Sequence, residues 1–247
     1  MDTTTLYVIG VVFIATLVRS TFGFGEALVA VPLLALRIPV EVSAPLAVLI
    51  SVTVASVAVV QDWRKIHLRS AGWLIGATLF GIPPGLLMLT RVNSSLVKAI
   101  LGTVIILFAI YSLTARRPIE LKNDHPGGLL LCGFLAGVLG GAYGMNGPPL
   151  VVYASMRRWS AQHFRATLQA YFLPAGLITL AGYALAGLLN RTVSRDFLLS
   201  LAPVLGATFL GRWLNHRLRG EAFLRYVYVG LAGIGALLLA QGITRKG

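Results

Sequence analysis

Charge is what this sequence has least of: Asp, Glu, Lys and Arg together make up 12% of its 247 residues, about half the share of a soluble domain. Only eight residues are acidic. The single cysteine, Cys132, excludes an intrachain disulfide and a dithiol pair. His67, His125, His163 and His216 lie far apart with no H-E-x-x-H between them, so no motif-based metal site is expected. There is no G-x-x-x-x-G-K-[ST] loop, and the chain is not expected to hydrolyse ATP. No G-x-S-x-G context exists for a serine nucleophile, so neither an enzyme nor a cofactor is expected. Met1–Thr5 carry no basic stretch and no A-x-A site follows, so residues 6–18 are expected to belong to the mature protein rather than a cleaved signal.

What is present is apolar. Hydrophobic residues make up 57% of the chain and the mean hydropathy is +0.82. The apolar runs fall near 6–36, 42–60, 71–90, 96–114, 127–156, 166–189, 197–214 and 223–243. Six of them have the length of one membrane-spanning helix. The spacing predicts an all-α polytopic membrane protein, a single transmembrane domain over 1–247, with no room between runs for an aqueous domain. The first and fifth runs are too long for one span and are interrupted by glycine, at Gly23 and Gly25 and at Gly140, Gly141, Gly144 and Gly147. Each is expected to be a pair of short helices meeting at a turn, either re-entrant or as two compressed spans.

The two halves read alike. Residues 76–81 are GATLFG and residues 206–211 are GATFLG, and the runs that follow reach Gly102 and Gly230. This predicts a tandem repeat, about 6–114 and 127–243, each a glycine-broken hairpin followed by three spanning helices.

The net charge of +13 is spread over short loop clusters rather than gathered on one surface, so nucleic acid is not an expected partner. If every run crosses once, the basic residues divide evenly between the two faces. If both broken runs return to the side they came from, one face gathers Arg64, Lys65, Arg69, Arg116, Arg117, Lys122, Arg157, Arg158, Arg165, Arg212, Arg217, Arg219 and Arg225. The other keeps Arg37, Arg91, Lys98, Arg191, Arg195, Arg245 and Lys246. That asymmetry is a positive-inside signal. It predicts both termini outside a cell (plasma or inner) membrane, and an odd number of crossings per half, so the repeats are inverted. Inverted repeats with broken helices are a recurrent transporter plan, with the site near the midplane.

At this point the sequence resembles a known family. Phe22-Gly23-Phe24-Gly25-Glu26 followed by Val31-Pro32-Leu33-Leu34, its counterpart Gly144-Met145-Asn146-Gly147-Pro148-Pro149-Leu150, and Phe164-Arg165-Ala166-Thr167-Leu168 are similar to the TauE/SafE sulfite exporter family, also called the toluene sulfonate uptake permeases. Glu26 stands where members usually carry another glycine. The resemblance implies a secondary carrier for sulfite, thiosulfate, sulfoacetate or other organosulfonates.

Candidate site residues surround the two breaks. Arg19 is read either as a fixed cation for an anionic substrate or as an arginine snorkelling from the tip of a crossing. Glu26 is either a proton-coupling carboxylate or the charge partner that neutralises Arg19. Where a helix restarts within the membrane its first N–H groups are free and carry positive partial charge, suited to an oxyanion. Gly23, Gly25, Gly144 and Gly147 would let a ligand approach that backbone, or else serve close helix packing. Ser43, Asn146, Thr167 and Gln169 offer hydrogen bonds of moderate strength, to substrate or between helices. Tyr143 and Tyr171 read as packing aromatics and Pro83-Pro84 as a kink. The expected partners are the lipid bilayer, a small anion, and a coupling ion such as the proton, with an oligomer left open. Three functions stand beside one another: an alternating-access carrier, an anion channel and, with no catalytic pair to support it, an intramembrane enzyme.

Overall fold

A computed structural model describes residues 3–62, 68–114, 126–157, 161–215 and 220–244, with side chains described except at 58–62, 68–71, 126, 161–166, 169–170, 215 and 220–225. Among the described residues there are ten α-helices and no strand. In chain order they are α1 (Thr3–Phe22), α2 (Glu26–Ala35), α3 (Val40–Asp62), α4 (Leu68–Arg91), α5 (Ser94–Thr114), α6 (Pro126–Tyr143), α7 (Gly147–Met156), α8 (Ala161–Leu185), α9 (Arg191–Asn215) and α10 (Gly220–Thr244). Among the described residues six stretches are long and apolar enough to cross a membrane: α1, 40–57, 72–91, α5, 191–214 and 226–244. The protein is an all-α, multi-pass membrane protein. Phe80, Leu107, Leu185 and Phe209 stand exposed on its outside, where lipid rather than water is the solvent.

The first glycine-broken run differs from the expected pair of short helices, whereas the second, α6 and α7, matches it. α1 has 20 residues and at 1.5 Å per residue is about 30 Å long, enough to cross alone. α2 and α7 have 10 residues each, about half a span. The break falls a little past the middle of the run, and α1 reaches a full span because it begins at Thr3, ahead of the run. Gly23 closes α1 with φ +88° and donates its N–H to the Arg19 carbonyl at 2.6 Å. Gly144 closes α6 with φ +67° and bonds the Gly140 carbonyl at 2.8 Å. A left-handed residue just past the last turn satisfies the final carbonyls and turns the chain, and glycine adopts it without a Cβ penalty.

α1–α5 and α6–α10 match in order and in approximate length. One spacing separates Gly23 from Gly144, Glu26 from Gly147, Val40 from Ala161 and Ser51 from Phe172. The packing partners correspond as well. α4 lies along α6 as α9 lies along α1, α4 touches α8 as α9 touches α3, and α3 meets α8 as α5 meets α10.

Small residues bring these helices together. A Cβ built on Gly137 would lie 2.8 Å from the Gly81 Cα, on the partner helix α4. Without a hydrophobic drive between helices in lipid, such backbone approach supplies the packing attraction. The sequence match of Gly102 with Gly230 does not carry over to packing. Gly102 faces Gly235, whose carbonyl would be 2.6 Å from a Cβ at 102, while Gly230 has nothing within 4 Å.

Candidate functional site

The two breaks meet. Phe24, Gly25, Glu26, Ala27 and Leu28 from the first, and Gly144, Met145, Asn146, Gly147 and Pro148 from the second, line one small cavity of about 30 Å³. Arg19, Ser51 and Phe172 complete its wall. Room for about two waters is what such a volume offers. α2 and α7 both start at this cavity, so the positive ends of two half-helices converge on it. Pro148 and Pro149 follow Gly147 in the first turn of α7, where their missing N–H groups cost nothing. A Cβ at Gly147 would meet nothing within 4 Å, and one at Gly25 only Val18 Cγ1 at 3.8 Å. These two glycines face open space, whereas a Cβ at Gly144 would fall 2.7 Å from Val48 Cγ2. The packing alternative therefore fits Gly144 and not Gly25 or Gly147.

Arg19 is buried, with 7% of its surface exposed, so it does not snorkel. Its hydrogen bonds to described residues all leave from Nη1, which donates to Glu26 Oε2 at 2.5 Å, Ser51 Oγ at 2.5 Å and the Ser51 carbonyl at 3.1 Å. Glu26 Oε1 also accepts from Thr16 Oγ1 at 3.0 Å. The other three guanidinium N–H groups, on Nε and Nη2, have no acceptor among the described residues. The Phe172 ring lies under the guanidinium, 5.2 Å from its centroid to Cζ, and a desolvated cation–π contact contributes up to about 2 kcal/mol. The result is a guanidinium clamped along one nitrogen with its remaining edge open. Such an edge matches two oxygens of a planar or pyramidal oxyanion.

Asn146 belongs to a separate arrangement on the α7 side. Its Nδ2 donates to the Tyr171 hydroxyl at 3.3 Å, and Tyr171 lies 2.7 Å from Thr78 Oγ1. Thr78 donates its own proton to the Gly133 carbonyl at 2.9 Å, so Tyr171 donates to Thr78. The chain Asn146→Tyr171→Thr78→Gly133 runs in one direction, and Tyr171 is fully buried. Tyr183 seals the same flank, donating to the Gly140 carbonyl at 3.0 Å.

Of the sequence-predicted residues, Arg19, Gly25, Glu26, Gly144, Asn146 and Gly147 come together at the cavity, and Gly23 borders a neighbouring one. Ser43 and Thr167 do not. Ser43 is buried in the first turns of α3 and bonds the Val40 carbonyl at 3.4 Å. Thr167 is buried, its hydroxyl without a partner. Five residues from Phe172 at about 100° each turns it about 140° away round α8. The Gln169 side chain lies outside the described residues. Ser51 and Phe172 were missed by sequence reasoning. Their signal is slight: a hydroxyl midway along the apolar run 42–60, and a phenylalanine at the matching position of the other half.

Half-helices that restart at a cavity within a bundle of spanning helices are an arrangement that recurs in membrane transporters. Residues 8–239 match the model of the family described as sulfite exporter TauE/SafE, and the chain belongs to that family of membrane transporters. It is 25% identical over 186 residues to the probable sulfite/organosulfonate exporter TauE of Cupriavidus necator, a match covering 74% of this chain and 70% of that one. No solved structure matches the chain.

Proposed function

We propose that the chain is a secondary carrier for small sulfur-containing anions, sulfite or an organosulfonate, bound at the cavity between the two breaks. The observation that carries this reading is the open guanidinium edge of Arg19 beside the starts of α2 and α7. Arg19 is the fixed countercharge, the backbone around Gly25 and Gly147 supplies N–H donors, and Asn146 adds an amide. Glu26 holds Arg19 in place and is the group available to couple transport to protons. The family and the exporter named for the Cupriavidus relative support the substrate class.

The mechanism proposed is alternating access. The halves are inverted repeats about the midplane, both termini are outside the plasma or inner membrane, and exchange of the paired helices opens one face as it closes the other. A cavity this small, bounded on one flank by the Tyr171 chain, fits an occluded carrier better than an open pore.

Binding by the purified protein against sulfite, thiosulfate, sulfoacetate and a chloride control tests the reading. A sulfur anion is expected to bind, with Arg19→Gln weakening it at least about tenfold, or about 1.4 kcal/mol. Saturable counterflow in proteoliposomes separates a carrier from a channel. Binding of none of the sulfur anions overturns the assignment.

A further inference from the structure

Arg19 reaches the cavity already neutralised. Glu26 stands 2.5 Å from it on the same wall, and among the described residues these two are the charged groups that line the enclosure. We propose, resting on the carrier reading above, that the site takes monovalent anions, each bound together with one proton that Glu26 takes up.

The empty site holds one cation and one carboxylate and is neutral as a whole. An anion added to it leaves net negative charge in a space of about 30 Å³, with room for about two waters. The desolvation cost of a charge grows with its square, so a dianion is opposed far more strongly than a monoanion. A guanidinium keeps its charge at every working pH. Glu26 is therefore the group on these walls that can restore neutrality, with one proton for one negative charge.

The geometry around Glu26 accommodates both of its forms. Oε2 accepts from Arg19 Nη1 and can keep that bond as the carbonyl oxygen of a neutral acid. Oε1 lies 3.0 Å from Oγ1 of the buried Thr16, which donates to it. A hydroxyl accepts as well as donates, so a proton on Oε1 turns that bond round. Thr16 then redirects its own proton to the carbonyl four residues back, as Thr21 and Thr53 do in this chain. No bond to the carboxyl group is lost when it is protonated.

The surrounding elements leave the count unchanged. Helices α1, α3, α5 and α10 pack against α2. Their other titratable groups with described side chains are Tyr7, Glu41, Lys98, Tyr111, Tyr226 and Tyr228. None of these lines the cavity, and Arg212 lines the neighbouring one. Across the cavity the second break presents residues 144–148, none of which titrates.

Both states that cross the membrane are then neutral. One is the empty site with its ion pair, and the other holds Arg19, an uncharged Glu26 and a monoanion. The membrane potential does no work on either. Anion and proton travel the same way, and the pH difference sets the direction. In Glu26→Gln the loaded site is still neutral, but the empty one keeps the Arg19 charge. Counterflow then survives while net flux becomes sensitive to voltage.

Calorimetric titration of the full-length protein in detergent micelles, in two buffers of different ionisation heat, counts the protons bound with each anion. Methanesulfonate is a monoanion at every working pH. About one proton per anion is expected with wild type near neutral pH and about none with Glu26→Gln. The wild-type dissociation constant is expected to rise up to about tenfold per pH unit, and that of Glu26→Gln to stay within about twofold. Sulfite at about pH 8, where it is mostly dianionic, is expected to bind with about two protons, one on the anion and one on Glu26, and with about one in Glu26→Gln. Thiosulfate and sulfate are expected to bind at least about tenfold more weakly than sulfite at about pH 6, where most of it is monoanionic. In proteoliposomes a potassium-diffusion potential is expected to leave wild-type flux unmoved and to change net flux in Glu26→Gln.

Equal proton counts in wild type and Glu26→Gln, wild-type flux that follows the potential, or thiosulfate bound as tightly as sulfite would overturn the coupled monoanion and leave the carrier standing. Should Glu26→Gln insert poorly, the wild-type counts decide alone: no proton with methanesulfonate, or about one with sulfite, overturns it. Where methanesulfonate does not fit the cavity, the sulfite count makes the same decision. Binding of no sulfur anion would remove the carrier reading as well.

Discussion

Arg19 and Glu26 stand seven residues apart on either side of the first glycine break, and they close on each other as a buried ion pair at 2.5 Å. The break makes the pair: α1 ends at Phe22, α2 restarts at Glu26, and the turn between them brings the two side chains face to face. Glu26 also lies in the first turn of α2, where a carboxylate is favoured by the helix dipole. Removing one partner of such a pair leaves an uncompensated charge, and costs about 3–5 kcal/mol in a buried setting.

Glu26→Gln keeps a hydrogen-bond acceptor for Arg19 and removes the negative charge next to the proposed anion site. Sulfite affinity is expected to stay the same or to rise. If Glu26 carries the coupling proton, this variant retains counterflow and loses accumulation driven by a pH gradient. Both quantities are read from one proteoliposome preparation, and a tenfold loss of affinity would contradict the assignment of Glu26 as a competing charge.

Gly147→Leu places a side chain in the open space of the cavity, where nothing lies within 4 Å of a Cβ. Transport is expected to vanish while the protein inserts at the wild-type level, and Gly147→Ala should retain much of it. Gly144→Ala meets Val48 at 2.7 Å and a φ of +67°, so its damage is expected in stability, by roughly 1–3 kcal/mol. Flux assays beside thermal unfolding separate the two effects, and normal flux in Gly147→Leu would move the site elsewhere.

Tyr171→Phe deletes the middle member of the Asn146–Tyr171–Thr78 chain while keeping the ring. Asn146 loses a buried partner, and Thr78 keeps its bond to Gly133. A loss of about 1–2 kcal/mol in unfolding stability is expected. A double-mutant cycle with Thr78→Val should show coupling of at least about 0.5 kcal/mol, and additive effects would argue against the chain.

Gly102→Leu and Gly230→Leu discriminate packing from sequence matching. Gly102 meets the Gly235 carbonyl across α5 and α10, and Gly230 meets nothing. The first is expected to prevent stable insertion or unfold readily, the second to leave thermal stability nearly unchanged. Equal effects would mean that the α5–α10 crossing lies elsewhere.

Cysteines placed at Thr3 and Lys246, after Cys132→Ala, are expected to label with an impermeant reagent in intact cells. Protection of either until lysis would refute the proposed placement of both termini outside.

The membrane-spanning, all-helical character was legible in the sequence because lipid imposes one strong requirement: long apolar stretches whose backbone is satisfied internally. The glycines at 23, 25, 144 and 147 marked the breaks, since left-handed backbone at Gly23, Gly25 and Gly144 needs a residue without Cβ. Charge in so apolar a chain made Arg19 and Glu26 visible. Which residues share a wall was not legible. Gly25 and Gly147 are brought to one cavity by the packing of two halves, and no local pattern encodes that meeting. Ser51 and Phe172 reach Arg19 from α3 and α8 because of helix phase, which also turns Thr167 away. The full length of α1 depended on its beginning at Thr3, ahead of the run, and the Gly102–Gly235 crossing on the rotation of two helices about their axes. Local chemistry determined which segments are helical and where they break, whereas the tertiary structure alone decided which side chains look inward at the same space.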